Sequence, residues 1–213
     1  MPELPNSPLD WFYFIAVKIV VLCTAAVLAA VGWNFLRARL SGQVAERQRS
    51  PVATGTMLLF TFGVYWLISR RIGALPRPEP AVDVPLVCLG LALMVTGCAV
   101  NLLGRLRLGR NWANQVTVYE DQTLVTGGVF GVVRHPLYAS LMWMFYGAGL
   151  IYLNYAAVLG TTFIFVPAMY YRARQEEKLL EVQFPKYDEY RRRVGMFLPK
   201  LMKNENCKMK NEK

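Results

Sequence analysis

HPLYASLMWMFYGAGLIYLNYAAVLGTTFIFVPAMYY, residues 135–171, runs for 37 positions without an Asp, Glu, Lys or Arg. As one helix it would be about 55 Å long, whereas a hydrocarbon core of ~30 Å needs about 20 apolar residues to span it. The stretch is therefore expected to fold back on itself. The turn is placed at Leu153-Asn154-Tyr155, giving two short helices in which Gly147, Gly149 and Gly160 permit close packing and Pro167 introduces a kink.

Toward the N-terminus, three more apolar stretches precede this one. Trp11 to Leu36 carries only Lys18, near enough to one end for its ammonium to snorkel toward headgroups. Pro51 to Ser69 and Val84 to Gly104 carry no charge and are flanked by Arg and Pro clusters. The expected fold is an all-α polytopic membrane protein of about five transmembrane helices, the last two forming a helical hairpin. Three N-terminal transmembrane helices fill residues 1–104, a second region carries residues 105–200, and residues 201–213 form a disordered basic tail. The N-terminus MPELPNSPLDWF has acidic residues and prolines where a signal peptide has a basic n-region, so the first apolar stretch is expected to stay in the mature protein.

The 213 residues carry 24 Lys+Arg against 14 Asp+Glu, a net charge of +10, yet 54% are hydrophobic and only 18% charged. A disordered nucleic-acid-binding chain would be charge-rich and apolar-poor. With the N-terminus outside, residues 37–50, 105–134 and 172–213 lie inside and hold 20 of the basic and 10 of the acidic residues. The whole excess then falls on one face, which is positive-inside topology reinforced by attraction to anionic membrane lipids. No aromatic-interleaved basic patch points to nucleic acid. Cys23, Cys88, Cys98 and Cys207 lack C-x-x-C spacing, so neither a metal site nor a disulfide framework is supported, and Cys207 is too far from the end for a prenylation box.

The chemistry-bearing residues flank the charge-free stretch. Before it come Gln115, the run Gln122-Thr123-Leu124-Val125-Thr126-Gly127-Gly128-Val129-Phe130, and Arg134-His135-Pro136-Leu137-Tyr138. The Gly-Gly pair suits either a plain turn or a segment wrapping a ligand with main-chain groups. His135, the single histidine, suits a helix entry as well as a catalytic role, and Pro136 fits a first helical position. After the stretch come Arg172-Ala173-Arg174-Gln175-Glu176-Glu177. Arg172 and Glu176 share a helix face, either as an i,i+4 ion pair worth a few tenths of a kcal/mol or as a clamp for a carboxylate or phosphate beside an acceptor. A tight hairpin brings the start of its first helix beside the end of its second, so the Arg-His-Pro and Arg-x-x-x-Glu-Glu segments should meet.

The order L-V-T-x-G-x-[YF]-x-x-x-R-H-P-x-Y, an apolar hairpin, R-x-x-x-E-E, F-x-x-Y-x-x-Y and a final apolar-Pro resembles the isoprenylcysteine carboxyl methyltransferase family and its phospholipid-methyltransferase relatives. Here these are Leu124 to Tyr138, Arg172 to Glu177, Phe184 with Tyr187 and Tyr190, and Phe197-Leu198-Pro199, within residues 111–200. The resemblance implies S-adenosylmethionine as methyl donor, in a pocket closed by the cytosolic loop and the C-terminal helical segment. It implies cofactor contacts at Gln115, Gln122, Thr123, Leu124, Val125, Phe130, His135, Pro136, Leu137, Tyr138 and Glu176, and a substrate contact at Arg172. Phe130 stands where the family has Tyr, and Pro185 follows Phe184 where the family has Gly.

On that footing Arg172, Glu176 and His135 are the catalytic candidates. The expected reaction methylates the carboxylate of a prenylated cysteine or similar lipidated substrate, whose tail enters sideways near Pro167. A carboxylate is ionised at neutral pH and needs no general base, whereas a phospholipid amine is protonated and would need one, from His135 or a glutamate. Phospholipid or amine N-methylation is the first alternative, and a membrane sterol-reductase-like NADPH enzyme the second.

Overall fold

The computed structural model describes residues 6–40, 51–109 and 124–200, and every regular element among them is helical. Helix α1 spans Pro8–Leu40, α2 Pro51–Ser69, α3 Pro80–Leu108 and α4 Pro136–Ile151; a 3-10 turn, Gly128–Gly131, precedes α4. After a turn at Tyr152 to Asn154 the chain runs through α5 (Tyr155–Gly160), a π-helical segment (Thr161–Phe165) and α6 (Val166–Gln183) to a last short helix, α7 (Tyr187–Arg193). Gln115, Gln122, Thr123 and the tail 201–213 lie outside the described residues.

The long charge-free stretch does fold back where its length requires. Leu153 takes a positive φ of 48°, and the buried Asn154 caps α5 by accepting from the Ala157 amide at 2.9 Å. Pro167 has no N–H to donate, and its ring would clash with the carbonyl four residues back. The π turn just before it widens the backbone there, and Thr161 and Thr162 hydroxyls donate to the carbonyls of Ala157 and Val158 at 2.7 and 2.9 Å.

Helix α3 is welded to α4. They run antiparallel with glycines at the crossing: a Cβ on Gly90 would sit 2.8 Å from the Gly147 carbonyl oxygen, and one on Gly147 would sit 2.6 Å from that of Gly90. Small residues let two apolar helices approach backbone to backbone, where lipid offers no hydrophobic drive for association. Farther along, the fully buried Asn101 donates to Ser140 Oγ at 2.8 Å and accepts from Arg105 Nε at 2.8 Å. One apolar cluster, with Val20, Val87, Met94 and Ile151, joins α1, α3 and α4; a second, with Val64, Met142, Phe165 and Met169, joins α2, α4 and the π segment to α6.

Among the described residues, two helical stretches, Pro8–Asn34 and Pro80–Leu108, are long and apolar enough to cross a membrane; Leu59–Ser69 and Pro136–Ile151 are shorter apolar helices. Large apolar side chains such as Leu22, Leu59, Phe62 and Phe163 are exposed on the outer faces of α1, α2 and the π segment. At the end of the bundle where α1 and α3 begin, Asp83 is 1% exposed and bonded to Arg77 at 2.8 Å and to the Tyr13 hydroxyl. Arg77 also donates to the Ile151 carbonyl at 3.2 Å, so this latch ties α1, α3 and the end of α4 together.

Candidate functional site at the entry to the hairpin

At the opposite end, the chain entering α4 is paired with the segment after α7. Arg134 and His135 amides donate to the carbonyls of Gly195 and Met196 at 2.8 and 3.1 Å, a short ladder next to a bridge between Val133 and Gly195. His135 is the residue before the first turn of α4, and its carbonyl accepts from the Tyr138 and Ala139 amides. Its ring is therefore free of capping duty. It stacks almost parallel on Tyr138, centroids 5.7 Å apart, and meets the Phe197 ring edge-on at 6.1 Å.

Glu176 and Glu177 are consecutive on α6, about 100° apart around the helix, and His135 lies between them. Its Nδ1 is 3.5 Å from Glu176 Oε2 and its Nε2 is 3.3 Å from Glu177 Oε1. The Tyr138 hydroxyl donates to Glu176 Oε1, and Arg172 Nε reaches the same oxygen at 3.4 Å with its guanidinium over the Tyr138 ring. The hairpin thus brings His135, Tyr138, Arg172 and Glu176 together.

Glu177 has a different set of partners. Arg134 pairs with it at 2.7 Å, the two side chains being 9% and 1% exposed. The same guanidinium donates to the carbonyls of Arg191, at 3.1 Å, and Val194, which satisfies the open C-terminal end of α7. Motif reading gave neither Arg134 nor Glu177 a role. The signal was their position as immediate neighbours of His135 and Glu176 in the two motifs that the hairpin brings together.

The charges reinforce one another. Burial would raise the Glu177 carboxyl, but the hydrogen bonds and charges of His135 and Arg134 outweigh it and pull the group down to about 2. Burial likewise opposes ionisation of Glu176, which His135, Tyr138 and Arg172 nevertheless hold below the ordinary value. Burial would lower His135, yet a carboxylate at each ring nitrogen raises it. Both nitrogens donate only in the imidazolium form.

The other expected residues are placed elsewhere. Pro136 and Leu137 pack against Gly104 of α3. Phe130 is buried, and its carbonyl accepts from the Tyr190 hydroxyl at 2.6 Å. Leu124 packs on the Tyr187, Tyr190 and Val194 cluster and lines a cavity of about 620 Å³ with Phe184, Lys186 and Arg193; Val125 is half-buried beside it in the chain.

As a donor set, the cluster suits a ligand with both charges. Glu176, 23% exposed, has the chemistry to accept a sulfonium or ammonium, and Arg172, 12% exposed, has the fork geometry for a carboxylate, while the His135 and Tyr138 rings are buried against each other. The sulfonium, ammonium and carboxylate of S-adenosylmethionine fit those chemistries.

Comparison with known proteins places this arrangement. Residues 86–187 match the phospholipid methyltransferase family model, a stretch that includes most of α3 as well as the hairpin. The chain is 36% identical over 98 residues to the cobalt-zinc-cadmium resistance protein CzcN of Cupriavidus metallidurans, covering 44% of each chain. It is 35% identical over 98 residues to the nickel-cobalt-cadmium resistance protein NccN of Alcaligenes xylosoxydans, covering 44% of this chain and 45% of that one. It is 32% identical over 116 residues to the protein-S-isoprenylcysteine O-methyltransferase of Saccharomyces cerevisiae, covering 52% of this chain and 48% of that one. The chain spans about half the length of the curated relatives it matches. Through the segment that builds the His135 cluster, the chain is similar to the phospholipid methyltransferase family and to isoprenylcysteine O-methyltransferases.

Proposed function

We propose that the protein is an integral membrane methyltransferase that uses S-adenosylmethionine to methylate the carboxylate of a prenylated cysteine or similar lipid acid. The observation that carries this reading is the convergence of His135, Tyr138, Arg172 and Glu176 at one end of the hairpin. In this reading α1, α2, α3, α4 and the unit from α5 to Tyr171 of α6 are five spans, the N-terminus lies outside, and the cluster sits on the cytosolic side.

Glu176, His135 and Tyr138 would hold the cofactor, joined by Leu124, Val125, Phe130, Pro136 and Leu137 and, outside the described residues, by Gln115, Gln122 and Thr123. Bound there, the cofactor supplies an electrophilic methyl group on a sulfonium. Arg172 holds the lipid carboxylate and aims an oxygen at that methyl, and the buried hairpin mouth keeps water away, which are the main requirements of a bimolecular displacement. The lipid tail enters sideways beside α6, near Pro167.

The same cluster favours an acid over an amine. A protonated amine would have to surrender a proton to a base, and His135, with a carboxylate against each ring nitrogen, is stabilised in its protonated form. An ammonium would also be repelled by Arg172. The decisive experiment is thermal unfolding of the purified protein with added ligands. Stabilisation by S-adenosylhomocysteine, about 2.7 kcal/mol at a hundredfold excess over Kd, and none by NADPH supports the methyltransferase. The reverse result points to the reductase-like alternative and refutes it.

A further inference from the structure

Beneath the polar cluster the hairpin interior is layered. Seven residues below Tyr138 on α4 is Phe145, and seven below Arg172, at the end of the π segment that runs into α6, is Phe165, so both arms of the hairpin place a phenylalanine about 10 Å deeper on the same face. Phe60 of α2 completes a three-ring stack: its centroid is 5.1 Å from that of Phe145 and 4.7 Å from that of Phe165, and the last two are 4.9 Å apart. Between the charges and the rings lie Met142 and Met169, both buried, one from each helix. Helix α5 packs closely along α4, whereas α6 has no comparable backbone approach to it, so the upper part of the hairpin is held by side chains.

We infer that the methionine layer is the site for the hydrocarbon chain of the lipid acid and that the Phe60–Phe145–Phe165 stack is its floor, which selects chain length. This rests on the reading of Arg172 as the carboxylate clamp. Three observations support it. The clamp and the apolar layer are continuous on the same faces of α4 and α6, so a single amphipathic molecule places its charge on one and its chain on the other. Methionine is unbranched with three rotatable bonds and repacks readily, so the layer can be closed without ligand and still yield to a chain. Phenylalanine rings packed on one another, Phe145 edge-to-face with both others and Phe60 stacked on Phe165, have no such freedom and form a hard stop. The π segment ends on Phe165, which fixes the floor at the depth where α5 gives way to α6.

The test is methyl transfer to a series of N-acetylcysteine thioethers bearing alkyl chains of increasing length, read as kcat/KM against length. Wild type should show an optimum and then a fall. F165L and F60A should move the optimum to longer chains, and M169W to shorter ones, each by at least threefold in the ratio of long to short substrates, with the KM for S-adenosylmethionine unchanged. Active variants whose length profile matches wild type would overturn the floor. If wild type methylates no member of the series, the functional reading fails instead. Alkylation of M169C, in a chain whose four natural cysteines are replaced by alanine, then tests the chain site alone. Protection by a long-chain acid but not by N-acetylcysteine supports the site, and equal labelling rates refute it.

Discussion

Each end of the helical bundle contains a buried carboxylate paired with an arginine, and the two ends differ in what surrounds it. At one end Asp83 is consumed by Arg77 and Tyr13, and Arg77 has a backbone carbonyl for its remaining edge. At the other, Arg134 and Glu177 form the equivalent pair, but a second carboxylate, a second arginine and a histidine are added beside them. Those extra groups exceed what the fold requires, and two of them, Arg172 and Glu176, keep partial access to solvent. A buried carboxylate paired with an arginine therefore does not mark a site by itself. A surplus of reachable charge around one does.

The contrast between the two ends is tested most severely at Arg134. R134A leaves the buried Glu177 with only His135 and the half-exposed Arg174, 3.7 Å away, and frees the end of α7, so a loss of about 3–5 kcal/mol is expected in chemical denaturation in detergent. A change below about 1 kcal/mol would mean that the pair is not structural. Next in size, E176Q should weaken S-adenosylhomocysteine binding about 10- to 100-fold, from losing a charge-assisted contact of ~1.5–3 kcal/mol, while R172A should raise KM for the lipid acid and leave cofactor binding nearly intact. Identical effects of the two substitutions on both ligands would erase the division of labour between them. D83A, at the far end, should cost about 1–3 kcal/mol, less than R134A because Arg77 can turn to water, and it should leave both ligand affinities unchanged.

The smallest effect is on pH dependence. Glu177, drawn down to about 2, stabilises the fold above its ordinary value of 4.5, and the contribution is lost as pH falls toward 2. His135, raised above 6.5, stabilises it below 6.5, and the contribution is lost as pH rises through the elevated value. The stability difference between wild type and H135Q should thus peak between about pH 4.5 and 6.5 and shrink on either side. A difference that grows steadily with pH would contradict the bridged imidazolium.

Much of this was legible because charge in an apolar chain is a strong signal. Thirty-seven charge-free residues require a turn, and Asn154 is the residue able to cap the helix after it. The same hairpin brings the two flanking motifs together. Other features were hidden by their physics. Arg77 and Asp83 carry no local signal of their pairing, since nothing nearby reveals a hydroxyl 70 residues away in sequence. The joining of α3 to α4 depends on Gly90 meeting Gly147, and glycines within an apolar run do not disclose their partners. Arg134 works through backbone carbonyls, which carry no residue identity. The π segment answers Pro167, yet a proline announces only that something must give.

The pairing of Arg134 and His135 with Gly195 and Met196 also sets the order in which the protein matures. Every helix of the hairpin is synthesised before Gly195 leaves the ribosome, so the guanidinium of Arg134 waits for the carbonyls of Arg191 and Val194. A chain interrupted after α6 would carry the hairpin and both glutamates but neither the carbonyls that hold Arg134 nor the ladder to Gly195 and Met196, so the cluster is completed by residues made after both of its helices.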